Sequence, residues 1–205
     1  VSGWAPALVV VIVMLWVAVP KIALPATIIG SLLMLLNVDM LYDLIYVGDN
    51  EYSQLTRLAA WQIVGEIVQV NPLLGLGPAN YRFYTPLFPI LGWYVEFNSH
   101  NNYIDIIAQV GLIGLGFFLW FAAEVGRFGW QLNQRIPKGT FAHAYVVGAL
   151  SGLVGTMAAA MLGDWVLPFA YNVGIEGLRA SGLGWIFMGG LIAIGQLYPP
   201  PQTDE

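Results

Sequence analysis

The stretch Asn98–Ala123, NSHNNYIDIIAQVGLIGLGFFLWFAA, sets a cluster of amides around one imidazole and follows it with an apolar run from Ile104 to Ala123. A run of that length reads as a membrane-crossing helix, because a hydrocarbon core about 30 Å thick takes roughly 20 helical residues. Asn98-Ser99-His100-Asn101-Asn102-Tyr103 then falls at the edge of the membrane. Reactive groups placed there can meet a lipid-borne substrate while still touching water, so this is the first place to look for chemistry.

Composition supports a membrane setting. Of 205 residues, 58% are hydrophobic and 9% charged, against roughly 45–50% and about 25% in ordinary soluble domains. Aromatic residues make up 14% of the chain, with 8 Trp, and there are 24 Gly, which suits interfacial anchoring and close helix packing in lipid. The absence of Cys excludes disulfides, thiolate metal sites and Cys nucleophiles. A net charge of −5 without a basic run argues against nucleic acid as a partner. Val1 opens directly on an apolar stretch without the basic flank of a signal peptide, and the chain reads as a fragment or processed product.

Five segments are expected to span: Trp4–Val19, Ile22–Asn37, Asn102–Glu124, Phe141–Gly163 and Ser181–Leu197. Pro20-Lys21 reads as the tight turn of a helical hairpin, since Pro disrupts a helix and Lys seeks water. The fold class is therefore all-α, a polytopic integral membrane protein organised as one membrane domain over residues 1–205. If Lys21 is cytoplasmic, alternation places Gly126–Thr140 on the same side, with Arg127, Arg135 and Lys138, as the positive-inside bias expects. Arg57, Arg82 and Arg179 then lie outside, where topology does not account for them.

The external loop, Val38–Ser99, is too long and too apolar for a simple connection. Within it Glu51–Val70 has helical periodicity, with Ala60, Ile63, Val64, Ile67 and Val68 on one side and Gln62, Glu66 and Gln69 on the other. That predicts an amphipathic helix lying on the membrane or on the bundle. Arg57 and Trp61, four apart, share a row at its face boundary. Asn71-Pro72 stops the helix, and Gly75, Gly77 and Pro78 turn the chain toward Tyr81-Arg82-Phe83-Tyr84. Gly75-Leu76-Gly77 lacks the third Gly of a dinucleotide fingerprint and the Lys of a P-loop, so it reads as a structural turn.

Arg57 with Trp61, then Asn71-Pro72-Leu73-Leu74-Gly75-Leu76-Gly77 leading to Asn80-Tyr81, then His100-Asn101 and Gln109-Val110-Gly111-Leu112-Ile113-Gly114, resembles in order and spacing the C-terminal half of O-antigen ligases and related polymerases. The resemblance covers Leu55–Phe121 well and the flanking helices by pattern. It implies a multi-pass protein of the bacterial inner membrane that takes a glycan from a polyprenyl diphosphate carrier on the periplasmic or outer face. The acceptor is lipid A core, another glycan repeat, or protein. It also implies an upstream half, with further helices and another Arg, not contained in this chain. The alternative expectation is a non-catalytic membrane subunit or scaffold derived from the same family.

By that analogy His100 is the candidate general base or acceptor-orienting group, with Asn101 and Asn102 as polar neighbours at the substrate. A neutral imidazole suits removal of a hydroxyl proton. Arg57 is the first candidate to grip the diphosphate and Arg82 the second, since a guanidinium stays charged and meets two phosphate oxygens at once. No acidic pair at metal spacing accompanies His100, so the expectation is transfer without a metal or other cofactor. Simpler readings stand beside these. His100 could cap the following helix, Arg57 could pair with Glu51 or a lipid phosphate, and Arg82 could anchor at headgroups between aromatics. Asp105, one turn past Asn101, reads as structural and His143 as an interfacial or helix-start residue, while Asp164, Glu176 and Arg179 read as a solvated loop with local pairing, with the lining of the external entrance as the alternative.

Overall fold

The computed structural model describes residues 4–46, 49–167 and 170–200. Among them the chain is helical, with α1 (Ala5–Ala18), α2 (Pro20–Leu36), α3 (Val38–Tyr46), α4 (Asp49–Val68), α5 (Asn102–Arg135), α6 (Phe141–Ala159) and α7 (Ala170–Leu197). Among the described residues, extended pairing is confined to an isolated bridge between Ile90 and Trp93. The helices α5 and α6 are long and apolar enough to cross a membrane, while α1, α2 and Ser181–Leu197 are shorter apolar helices.

Each expected apolar segment coincides with a helix, and the boundaries differ where packing decides them. The turn at Pro20 is present: Val19 leaves helical geometry and Pro20 opens α2, where a missing N–H costs nothing. The Trp16 indole N–H donates to Thr27 Oγ1 at 3.1 Å. Those residues would stand about 16 Å apart along one straight helix, so the chain folds back on itself. α1 then lies along α6.

Three boundaries need correcting, the simplest being α6, which ends at Ala159 rather than Gly163. α5 does not stop at Glu124 but continues to Arg135, because Leu132 is buried in a core with Val146, Ala149, Leu150 and Leu191 from α6 and α7. The connection expected over Gly126–Thr140 shrinks to Ile136–Thr140, and Arg127 sits on the helix, paired with Glu124 at 2.7 Å. α7 likewise begins at Ala170 rather than Ser181.

The long loop is mostly structured. α3 was not anticipated, whereas α4 lies where periodicity put it, with Ala60, Val64 and Ile67 buried and Gln62, Glu66 and Gln69 exposed. Its apolar face meets Tyr81 and Ala108 in a second core, so α4 packs on the bundle through α5.

That contact depends on a break in α5. Gly111 has a φ of 70° inside the helix, which leaves neighbouring backbone groups without helical partners. The segment after α4 supplies them. Leu76 N and Gly77 N donate to the carbonyls of Ala108 and Gln109, at 2.9 and 3.0 Å, and Leu112 N and Ile113 N donate to those of Pro72 and Leu73, at 2.9 and 3.3 Å. A Cβ at Gly75 would come 2.5 Å from the Gln109 backbone, and one at Gly111 would collide with the Leu73 carbonyl. The Gly75-Leu76-Gly77 turn is thus structural, and the two glycine motifs are halves of one backbone joint.

Candidate functional site

The joint fixes where α5 begins, and with it the loop that carries His100. Asn101 is the N-cap of α5, its Oδ1 accepting from Tyr103 N at 3.0 Å and Ile104 N at 3.4 Å. The cap is therefore Asn101 and not His100, which leaves the imidazole out of helix termination. Asn102 is fully buried; its Nδ2 donates to the Leu167 carbonyl and its Oδ1 accepts from Val166 N, both at 2.9 Å. Both asparagines expected at the substrate thus spend side-chain atoms on holding α5 and the segment after α6.

His100 has a φ of 49°, a left-handed geometry that a non-glycine residue holds only when its surroundings insist. The constraint comes from its neighbours. The Trp61 indole donates to the Ser99 carbonyl at 2.7 Å, Ser99 Oγ donates to Asp105 Oδ1 at 2.7 Å, and Asn98 Nδ2 donates to Asp164 Oδ2 at 2.9 Å. Tyr81, fully buried, donates its hydroxyl to the same Asp105 oxygen.

Arg57, one turn before Trp61 on α4, reaches across with Nη1 to the Leu162 carbonyl at 2.9 Å. Arg57 and His100 line a common cavity of about 490 Å³ with Tyr52, Trp93, Phe97 and Asn98. A larger cleft of about 610 Å³ between α6 and α7 is walled by residues such as Phe141, Gly148, Leu153 and Phe187, with no carboxyl, imidazole or cation. Chemistry therefore points to the smaller one. Partial burial in the cavity wall is the chief influence on His100 and holds its pKa below the ordinary imidazole value; the Asp164 charge raises it and the Arg57 guanidinium lowers it.

Arg82 does not line this cavity. It lies 3.7 Å from Glu96 and stacks over the Phe83 ring at 5.2 Å, in keeping with a side chain seated among aromatics. His143 is in the first turn of α6, its N–H bonded to the capping Thr140 Oγ1 at 3.2 Å. Asp164 corrects the expectation of a solvated loop: it is 9% exposed and tied to Asn98. Loop composition does not report such burial. The side chains of Glu51, Glu176 and Arg179 lie outside the described residues. The residues that sequence reasoning undervalued are Ser99 and Tyr81, which lie inside the quoted motifs without a role assigned to them, and Asp164, which has no local signal; Asp105 carried one in its place a helical turn after Asn101.

Mostly helical among its described residues, with long apolar helices and a cavity that joins one cation to one imidazole, the chain has the character of a membrane protein with a polar site. The family model for O-antigen ligase matches residues 2–119, more than half of the chain, and the protein belongs to that family. The match takes in Arg57, Trp61, the Asn71–Gly77 segment, His100 and the Gly111 break. No curated protein and no solved structure matches it.

Proposed function

We propose that this chain carries the acceptor-activating site of an O-antigen ligase-like glycosyltransferase, moving a glycan from a polyprenyl diphosphate to an acceptor hydroxyl. The observation that carries the reading is Arg57 and His100 on the walls of one cavity, inside the part of the chain that the family match covers. In this reading the five apolar helices cross the bacterial inner membrane, and the cavity opens on its periplasmic or outer face.

Neutral His100 takes the acceptor proton as the acceptor oxygen bonds to the anomeric carbon of the donor sugar. The bond from that carbon to the diphosphate oxygen breaks, and its electron pair leaves with the diphosphate. Arg57 meets that growing charge; its guanidinium has five N–H groups, so the bond to Leu162 does not exhaust it. A lowered imidazole pKa keeps the base neutral at external pH, which supports the role.

The test is glycan transfer from a lipid-linked donor by the purified full-length polypeptide that contains this chain. His100→Ala is expected to insert and fold normally and to lower transfer by roughly 10²–10⁴-fold, the range of a lost proton acceptor, while His143→Ala changes little. A folded His100→Ala protein that transfers at the wild-type rate rejects the assignment. A wild-type protein that binds the donor but never transfers it favours the non-catalytic subunit instead.

A further inference from the structure

The cavity that joins Arg57 and His100 is built from two stretches of chain, and each runs from an exposed aromatic ring to a buried floor. In the stretch before His100, alternate residues Trp93, Val95 and Phe97 line the cavity while Tyr94 and Glu96 do not, the period of two that an extended chain gives. Exposure falls along that row from 70% at Trp93 and 44% at Val95 to 6% at Asn98. On α4, Tyr52, Thr56 and Ala60 line the cavity at intervals of four, which puts them on one face of the helix. Tyr52 is 63% exposed and Ala60 is buried. Trp93 and Tyr52 therefore stand at the mouth, and half-buried Arg57, between Thr56 and Ala60 on α4, lies deeper.

Exposed as it is, Trp93 is fixed by its backbone. Ile90 and Trp93 exchange two N–H···O=C bonds of 2.9 Å each, and the residues between them, Leu91 and Gly92, have φ of 48° and 88°. Positive φ at both central positions is the mark of a tight type I′ hairpin turn. Glycine suits the second position. Leu91 has no such freedom, and a strained residue of that kind persists at sites that the surrounding structure holds in place. The bonds that set the turn are made by backbone groups and do not use the indole.

We propose, resting on the transfer reading above, that Trp93 together with Tyr52 forms a stacking platform for a pyranose ring of a glycan at the mouth of this cavity. A pyranose has an apolar C–H face, whose slightly positive hydrogens meet the negative face of an aromatic ring. Its rim of hydroxyls does best in water, because a polar group stripped of water is costly unless it finds a partner. An exposed ring at the edge of a polar cavity meets both demands. Contacts away from the reacting atoms also orient the sugar that does react between Arg57 and His100.

The experiment is equilibrium binding to the purified full-length protein in detergent with three probes: the lipid-linked glycan donor, the same polyprenyl diphosphate without sugar, and the acceptor of the transfer assay. Wild type is expected to bind the glycan-bearing lipid about tenfold more tightly than the sugar-free one, the size of one good aromatic contact. Trp93→Ala is expected to remove that margin and to leave sugar-free binding unchanged. Trp93→Phe keeps a ring and retains most of the margin, whereas Trp93→Leu, apolar but without a ring face, loses it. Tyr52→Ala is expected to act in the same direction by about threefold. The exposure of Trp93 and the backbone origin of its turn leave these variants folded, which thermal unfolding checks.

A loss confined to the donor assigns the ring to the donor glycan, and one confined to the acceptor assigns it to the acceptor; either supports the platform. Equal weakening of glycan-bearing and sugar-free lipid by Trp93→Ala marks an aromatic membrane anchor and overturns it. So does retention of all binding by Trp93→Ala. If Arg57→Lys weakens the sugar-free lipid while Trp93→Ala changes nothing, the platform alone falls and the transfer reading stands. If wild type binds none of the probes, the transfer reading falls and the platform with it.

Discussion

The two halves of α5 are one apolar run by hydropathy and two different objects in the fold. Before Gly111 the helix buries Asp105 and Gln109 against the turn that follows α4, and Asn102 against the segment after α6. After it, Leu112, Ile113, Phe117, Trp120 and Phe121 are exposed, apolar surface of the kind that lipid covers. Position relative to the break therefore decides whether a side chain works for the site or for the membrane. Polar residues are tolerated in the first half because each has a hydrogen-bond partner for at least one side-chain atom: Gln109 Oε1, for example, accepts from Ala79 N at 2.7 Å.

Substitutions of glycine put the contrast under the largest strain. Gly111→Ala forces a side chain onto a left-handed backbone and against the Leu73 carbonyl, so a loss of about 3 kcal/mol in stability is expected. Gly116, in the exposed half, has nothing within 4 Å of an added Cβ. Gly116→Ala is expected to be neutral or to stabilise by up to about 1 kcal/mol, the helix-propensity gain over Gly. Thermal unfolding in detergent reads both, and equal effects would show that the break is not a joint.

Arg57→Lys keeps the charge and loses the planar two-pronged contact. A fall of about tenfold in kcat/KM for the lipid-linked donor is expected, equivalent to about 1.4 kcal/mol. Arg82→Lys, outside the cavity, is expected to stay within about threefold, since its pairing with the exposed Glu96 is a long contact at 3.7 Å near the surface. Reversal of that order would move the donor site to the Tyr81–Phe83 turn.

The acid limb of the pH profile sharpens the comparison further. A base works unprotonated, and His100 sits below the ordinary imidazole value through partial burial. Transfer is therefore expected to hold through the usual imidazole titration near about 6.5 and to fall only at lower pH. A limb at or above that value would mean that another group titrates.

The smallest test concerns sidedness. In this Cys-free chain, single cysteines at Asp49 and Glu96 are expected to react with a membrane-impermeant thiol reagent in intact cells, and one at Gln134 is not. Labelling at Gln134 alone inverts the topology.

The amino-acid sequence by itself determined the helical class, the places of the apolar segments, the turn at Pro20 and the inward face of α4. Each of these follows from local length, periodicity or a residue's own backbone limits, and each survives without knowledge of what packs opposite. It also singled out Arg57 and His100 through motifs in order along the chain. Only the tertiary structure decided that they share a cavity, that Asn101 and not His100 caps α5, and that Leu132 carries α5 on to Arg135. The break at Gly111 and the burial of Asp105 under the Tyr81 and Ser99 hydroxyls belong to the same group. Their physical reason is common: a kink needs backbone donors and acceptors from Pro72–Gly77, and a buried carboxyl needs partners from distant segments. Neither need leaves a period or a spacing in the residues around it.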